Sequence, residues 1–181
     1  MLDAGERLFG ERGFRAASMD DIAGASGITK ALLYQYFGSK EGLYEACVER
    51  ARARLFRQLE TEASAARPGR ARIRAVVTAY FAYLDRERAS WWLLYGDASM
   101  SAVNEMRRQN AEVVSRLVAD DLKTAGGTAS RDQIELIGNL IVGSGEQVAR
   151  WWLEHPELPR RRAIDLFTAA TEAAIAGVLR A

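Results

Sequence analysis

Apolar positions recur along the chain at three- and four-residue steps almost from end to end, and period-two alternation rich in Val, Ile and Thr is scarce. That spacing belongs to helices rather than strands. The clearest stripe is Ile73, Val76, Val77, Tyr80, Phe81 and Leu84, which return 3, 4, 7, 8 and 11 residues after the first and so fall on one helical face. Upstream, the pattern predicts a first helix from about Leu2 to Arg12, with Leu8 and Phe9 inward and Gly13 as a left-handed stop. Ser18 is placed to cap a second helix that ends near Ser26-Gly27, with Asp21 at capping-box spacing but shorter than the usual acid. Thr29 caps a third, to about Phe37; Gly38-Ser39 breaks the chain, and Ser39 caps a fourth from Lys40 to about Ala65. "ARPGRARIR", Ala66 to Arg74, reads as a wet turn and a domain boundary. After the 73–84 stripe, further helices are expected at about 90–100, 103–125, 131–154 and 160–180, divided by Gly126-Gly127 and by "HPELPR". The expectation is an all-α chain: a helix-turn-helix domain over 1–48, a long connecting helix over about 40–65, and a larger helical domain over 67–181.

Composition narrows the function. Apolar residues make up 49% of 181 residues and charged residues 27%, as in an ordinary folded protein. No apolar run approaches the roughly 20 residues that span a bilayer, and "MLDAGERLFGER" lacks the form of a secretory signal, so no membrane partner is expected. The single cysteine, Cys47, excludes an internal disulfide, suits the cytoplasm, and reads as a small apolar filler. The sole histidine, His155, lies in the turn "EHPELP", which supports neither a histidine-based metal site nor a Ser/His or Cys/His pair. Glu112, Asp120 and Asp121 sit beside Arg and Lys and read as solvated faces. No glycine-rich phosphate loop follows a strand. Catalytic residues, metal and cofactor are therefore not expected, and the chain does not read as an enzyme.

Charge gives no help to a nucleic-acid partner. The net charge is +1, and residues 1–50 hold six Lys/Arg against eight Asp/Glu, a local balance of −2. Any such partner must be argued from where the cations sit. The stretch "SMDDIAGASGITKALLYQYFGSKEG" makes that argument. Two short helices joined by a tight turn with glycine form a helix-turn-helix. Ile22, Ala23 and Ile28 are placed to pack on Leu33 and Phe37, bracing the third helix from behind. Lys30, Ala31, Leu32, Tyr34, Gln35 and Tyr36 are then left on its free faces or flanks. Helix starts at Ser18, Thr29 and Lys40 offer uncapped amides and positive dipole ends to phosphates. Phenols of Tyr34 and Tyr36 suit phosphate too, whereas Lys30 suits guanine, Gln35 adenine, and Ala31 or Leu32 a thymine methyl.

The segment "GERLFGERGFRAASMDDIAGASGITKALLYQYFGSKEGLYEACV" resembles the N-terminal domain of the TetR family of transcriptional regulators. The likeness rests on Leu8-Phe9, Gly13-Phe14, Ser18-Met19, Asp21-Ile22-Ala23, Gly27-Ile28, Leu33-Tyr34, Tyr36-Phe37 and Ser39-Lys40-Glu41. It implies a DNA-binding regulator, most commonly a repressor, that binds a near-palindromic double-stranded operator and answers to a small-molecule effector. It also implies a homodimer joined through the last two long helices. Family members often carry a longer basic N-terminal extension that reaches the minor groove; this chain begins almost inside its first helix, so either the true start lies upstream or the protein forgoes that arm.

Two sets of residues in the second domain follow. Gly138, Ile141, Gly145, Val148 and Trp152, with Ile164, Phe167, Thr171, Ala174 and Val178, recur at helical steps and are expected at a dimer interface, where small residues admit a partner backbone. Tyr80, Tyr83, Trp91, Trp92, Tyr95, Trp151 and Trp152 are the aromatic candidates for a pocket, with Met100 and Met106 as adaptable walls. Of these, Tyr80, Trp91, Trp92, Tyr95 and Trp151 are the expected lining, suited to an apolar or aromatic effector. The rival expectation is a helical small-molecule-binding or protein-interaction module without operator binding.

Overall fold

The computed structural model describes residues 1–95 and 101–181. It contains nine helices and no strand among the described residues: α1 Leu2–Ala16, α2 Met19–Ser26, α3 Lys30–Phe37, α4 Lys40–Ala65, α5 Arg70–Arg86, α6 Arg88–Tyr95, α7 Ser101–Thr124, α8 Arg131–Glu154 and α9 Arg160–Arg180. The all-α reading therefore holds. Several boundaries differ from the sequence pattern, among them the start of α7 at Ser101 rather than about 103. Gly13 does leave the helical region, at φ 76° and ψ 164°, but the chain resumes helical form after it and α1 runs on to Ala16. The helix expected near residue 90 begins at Arg88, and Met100 lies outside the described residues.

The chain forms two compact units. Unit 1 comprises Met1–Phe56 and Leu84–Met106, and unit 2 comprises Arg57–Tyr83 and Arg107–Ala181. In unit 1, Leu8, Phe9, Ile22, Leu33, Leu43, Leu55 and Trp91 are almost wholly buried. Phe9 and Phe14 both meet the Tyr44 ring edge-on, at 5.2 and 5.1 Å between centroids, and the Tyr44 hydroxyl donates to the Leu93 carbonyl at 3.0 Å. Absent side chains matter as much as present ones. A Cβ on Gly10 would lie 2.1 Å from the Ala89 carbonyl oxygen, so only glycine lets α1 and α6 come this close. One buried acid, Glu6, is held by Arg50 Nε at 2.6 Å and Arg54 Nη2 at 2.8 Å. Such pairing is what makes a buried carboxylate tolerable. Cys47 is buried, and burial, with the Glu6 carboxylate second, pushes its thiol up to about 12, the behaviour of inert filler.

Unit 2 is built on aromatic and small-residue contacts. Phe81 meets Trp152 edge-on at 5.2 Å and Phe167 at 6.3 Å. A Cβ on Gly138 would meet Ser115 Oγ at 2.1 Å and the Ala111 carbonyl oxygen at 2.6 Å, so this glycine sets the approach of α8 to α7. Buried Glu146 is gripped by two Arg107 nitrogens, at 2.8 and 2.5 Å. Ser130 and Gln133 form a full capping box at the start of α8.

Candidate nucleic-acid interface

The geometry of α3 is fixed at both ends before any side chain of its outer face is considered. α2 starts at Ser18, whose hydroxyl accepts from the Asp21 amide at 3.0 Å. The Asp21 carboxylate accepts from Arg12 Nη1 at 3.1 Å. α2 ends at Gly27, at φ 67° and ψ 29°, where Gly27 N donates to Gly24 O and Ile28 N to Ala23 O. That pair of bonds is the Schellman stop, and a left-handed residue there is what turns the chain toward α3. Thr29 Oγ1 then accepts from Leu32 N at 3.3 Å; a cap of this type contributes about 1 kcal/mol. At the far end Gly38, φ 73°, closes α3 by donating to Tyr34 O at 2.8 Å.

Within this frame Leu33 is fully buried, as are Ile22 and Ala23 of α2, while Ile28 and Phe37 are half-buried. At about 100° per residue, Ala31 and Gln35 stand opposite Leu33, with Lys30 and Tyr34 on one flank and Leu32 and Tyr36 on the other. Thr29, Lys30, Ala31, Tyr34, Gln35 and Tyr36 are exposed, Tyr36 to 65%, and Leu32 is half-buried. Two phenols this exposed on one short helix are unusual for a surface with no partner. Such an element is sized for a major groove.

Both expected cations on this surface already have partners. Lys30 Nζ donates to Asp20 Oδ2 at 2.8 Å, which raises the lysine above its ordinary range. Lys40 Nζ donates to the Arg15 carbonyl at 3.3 Å and sits 4.7 Å from the Phe14 ring centroid. The half-buried Lys40 is thus explained by the end of α1 as well as by any phosphate. Sequence reasoning passed over Gly42. A Cβ there would lie 2.2 Å from the Phe37 carbonyl oxygen, while Ser39 Oγ accepts from Gly42 N at 3.0 Å. Gly42 therefore seats the end of α3 on the start of α4. Its signal in sequence was only a glycine one turn into a helix, where alanine would be the better helix former.

The other expected sites are distributed as follows. Trp91 and Tyr95 are buried and Trp92 half-buried in unit 1, where Trp91 and Trp92 meet edge-on at 5.0 Å. Tyr80 and Trp151 belong to unit 2; Tyr80 is half-buried, its hydroxyl donating to the Gly145 carbonyl at 3.4 Å, and Trp151 is exposed. Three of the expected five thus belong to unit 1 and two to unit 2. Of the residues expected to meet a partner helix, Gly138, Gly145, Trp152, Phe167 and Thr171 are buried within the subunit, Ile141, Val148 and Val178 are half-buried, and Ala174 is exposed. The exposed stripe of α8 is instead Leu136, Leu140, Gly143 and Trp151, and that of α9 is Leu166, Ala170, Ala173 and Gly177. Among the described residues no helix is long and apolar enough to cross a membrane, and no group of three or more His, Cys, Asp or Glu is placed to hold a metal.

Comparison with known proteins assigns this architecture. The model of bacterial regulatory proteins of the tetR family matches residues 1–47, and that of the tetracyclin repressor-like C-terminal domain matches residues 68–173. The chain is 28% identical over 86% of its length to the HTH-type transcriptional activator FasR of Mycolicibacterium smegmatis, spanning 71% of that protein. The crystal structure of a TetR-like transcriptional regulator from Rhodococcus sp. RHA1 superposes with a TM-score of 0.76 at 30% identity, covering 97% of this chain and 93% of that one. FadR of Bacillus subtilis, solved in complex with stearoyl-CoA, shares the fold with a TM-score of 0.80 at 15% identity, over 97% of this chain and 96% of its own. With both halves matched in order and a relative superposed over almost its whole length, the chain belongs to the TetR family of bacterial transcriptional regulators.

Proposed function

We propose that this chain is a cytoplasmic, non-enzymatic repressor that binds a near-palindromic operator as a homodimer and leaves it when a small apolar effector binds. The observation that carries the reading is the outer face of α3, centred on Ala31 and Gln35 and backed by buried Leu33. In this reading Gln35 addresses an adenine edge, Lys30 guanine acceptors, and Ala31 or Leu32 a thymine methyl. Ser18, Thr29, Tyr34, Tyr36 and Lys40 position the protein on phosphates.

Two copies of α3 in successive major grooves lie about 34 Å apart, so the dimer sets the spacing of the half-sites. The exposed stripes on α8 and α9 support a symmetric face. Nothing lies within 4 Å of a Cβ built on Gly143 or Gly177, which leaves both open to a partner backbone. An effector acts only through unequal affinity for two arrangements. α4 passes by chain from unit 1 into unit 2, and effector binding among the later helices is proposed to swing it, spoiling the groove spacing. A hundredfold loss of operator affinity corresponds to about 2.7 kcal/mol of such preference.

Selection of bound fragments from genomic DNA, followed by anisotropy titrations at several salt concentrations, tests the proposal. The expected result is one enriched inverted repeat whose affinity falls steeply with salt, at about 0.9 logarithmic units for each phosphate neutralised. A flat salt response with no enriched sequence would support a small-molecule-binding or protein-interaction module instead. A reporter behind the selected operator gives the sense of regulation: repression is expected, and activation, the role in FasR's name, would overturn that part alone.

A further inference from the structure

Unit 1 contains a cavity of about 600 Å³ between α1 and α6, within the roughly 300–1,000 Å³ of small-molecule sites. Rings from three helices line it: Phe9 and Phe14 of α1, Tyr44 of α4 and Trp92 of α6. Phe9 and Tyr44 are almost wholly buried and form the floor, whereas Phe14 and Trp92 are half-buried and stand as walls. Backbone sets the gap between the helices. Gly10 already stands so near the Ala89 carbonyl that a Cβ on it would lie 2.1 Å from the oxygen, so α1 and α6 cannot draw closer there. Beyond that contact α1 breaks at Gly13, and a Cβ built on Gly13 meets nothing within 4 Å. Two exposed, oppositely charged residues complete the rim, Glu11 from α1 and Arg88 from the first turn of α6. Glu11 accepts from Arg7 Nη1 at 3.4 Å, with both side chains about half exposed, and such a pair contributes little. The Arg88 side chain forms no ion pair or hydrogen bond among the described residues.

We infer that this cavity binds a small aromatic zwitterion, a flat ring carrying an ammonium and a carboxylate as an aromatic α-amino acid does. The walls select the body of the ligand. A ring gains from packing on Trp92 and the edge of Phe14 beyond what burial of an aliphatic group of similar size would give. The rim selects the head. The Arg88 guanidinium donates to the ligand carboxylate in a charge-assisted hydrogen bond, and the Glu11 carboxylate accepts from the ligand ammonium. Glu11 and Arg88 line one cavity yet do not pair with each other. A ligand with a carboxylate alone would meet Arg88 but bring a like charge beside Glu11, and an amine alone would do the reverse. A molecule bearing both signs satisfies both residues at once. Every lining residue belongs to unit 1, the unit that carries α3.

Calorimetric titration of the whole protein, without DNA, with L-tryptophan, L-phenylalanine, tryptamine, indole-3-propionate and L-leucine tests it. Tryptophan and phenylalanine are expected to bind. Tryptamine lacks the carboxylate and indole-3-propionate the ammonium, and each is expected to bind about tenfold more weakly than tryptophan. Leucine keeps both charges without a ring and is expected to bind severalfold more weakly than phenylalanine. Arg88→Gln should bring tryptophan down to the level of tryptamine, and Glu11→Gln should bring it down to that of indole-3-propionate. Both residues are exposed, so both variants should keep the native circular dichroism and melting temperature. Trp92→Leu should erase the preference for phenylalanine over leucine.

Tryptamine or indole-3-propionate binding as tightly as tryptophan would overturn the paired charges, and leucine binding as tightly as phenylalanine would overturn the ring. Arg88→Gln and Glu11→Gln proteins that keep the native order of affinities would remove the ligand from this cavity. Failure of both aromatic amino acids to bind would overturn the site outright. No operator enters these titrations, so loss of the repressor proposed above leaves the site standing, and loss of the site leaves the repressor.

Discussion

In the proposed operator complex, Lys30 is the residue on which affinity and specificity pull apart. Its ammonium is held 2.8 Å from Asp20, yet both side chains are well exposed, at 47% and 70%. An exposed pair of this kind contributes little to stability and is weakened by salt. It does hold the lysine toward α2 and supplies a negative charge beside a surface proposed to approach phosphates. Replacing the acid should therefore strengthen DNA binding without loosening the fold. Asp20→Asn is expected to raise operator affinity severalfold, raise non-specific affinity at least as much, and move the melting temperature by no more than about 2 °C. Filter-binding against operator and scrambled duplex, with a thermal melt, reads all three. Weaker operator binding in this variant would mean that Asp20 aims Lys30 at its base, and the lysine's role would be one of fixed geometry rather than mobile charge.

The elements of unit 1 turn on glycines that look alike in sequence and differ in what surrounds them. Gly24 sits in α2 with nothing within 4 Å of a built Cβ, whereas Gly42 has the Phe37 carbonyl oxygen 2.2 Å away. Gly24→Ala should stabilise the protein by about 0.5–1 kcal/mol from helix propensity. Gly42→Ala should cost roughly 1–3 kcal/mol of overpacking and lower operator affinity further by tilting α3. Denaturant titrations of the two variants separate these outcomes, and similar shifts in both would remove Gly42 from the support of α3. The contrast also marks how far the sequence could be read. Caps and stops at Ser18, Gly27, Thr29 and Gly38 were legible because each is a local rule satisfied within a few residues. The buried side of α3 was legible from its period. The partners of Gly10, Gly42 and Gly138 were not, because what forbids a Cβ there is contributed by residues outside each glycine's own helix. Lys30 and Lys40 were visible as cations, but Asp20 and the Phe14 ring that hold them were not.

At the scale of the whole molecule, the sequence pattern of α8 selected one apolar stripe where the helix carries two. Adjacent helical positions point about 100° apart, so 138, 141, 145, 148 and 152 describe one face, and 136, 140, 143, 147 and 151 the neighbouring one. Periodicity alone cannot tell which of two apolar faces meets the rest of its own subunit. The structure places Trp152 against Phe81 in the core of unit 2 and leaves Leu136 and Leu140 exposed, Leu136 to 50%. The two faces should therefore fail in different ways. Trp152→Ala is expected to cost about 3–5 kcal/mol of folding stability, seen as an earlier denaturant midpoint. Leu140→Arg should fold normally and sediment as a monomer. Because two linked half-site contacts become one, its operator affinity should fall on the order of a hundredfold, while a single half-site binds as before. Sedimentation velocity beside the DNA titration decides the matter: a Leu140→Arg protein that stays dimeric would move the partner surface away from this stripe, and a native protein that is monomeric at operator-binding concentrations would remove the two-groove arrangement altogether.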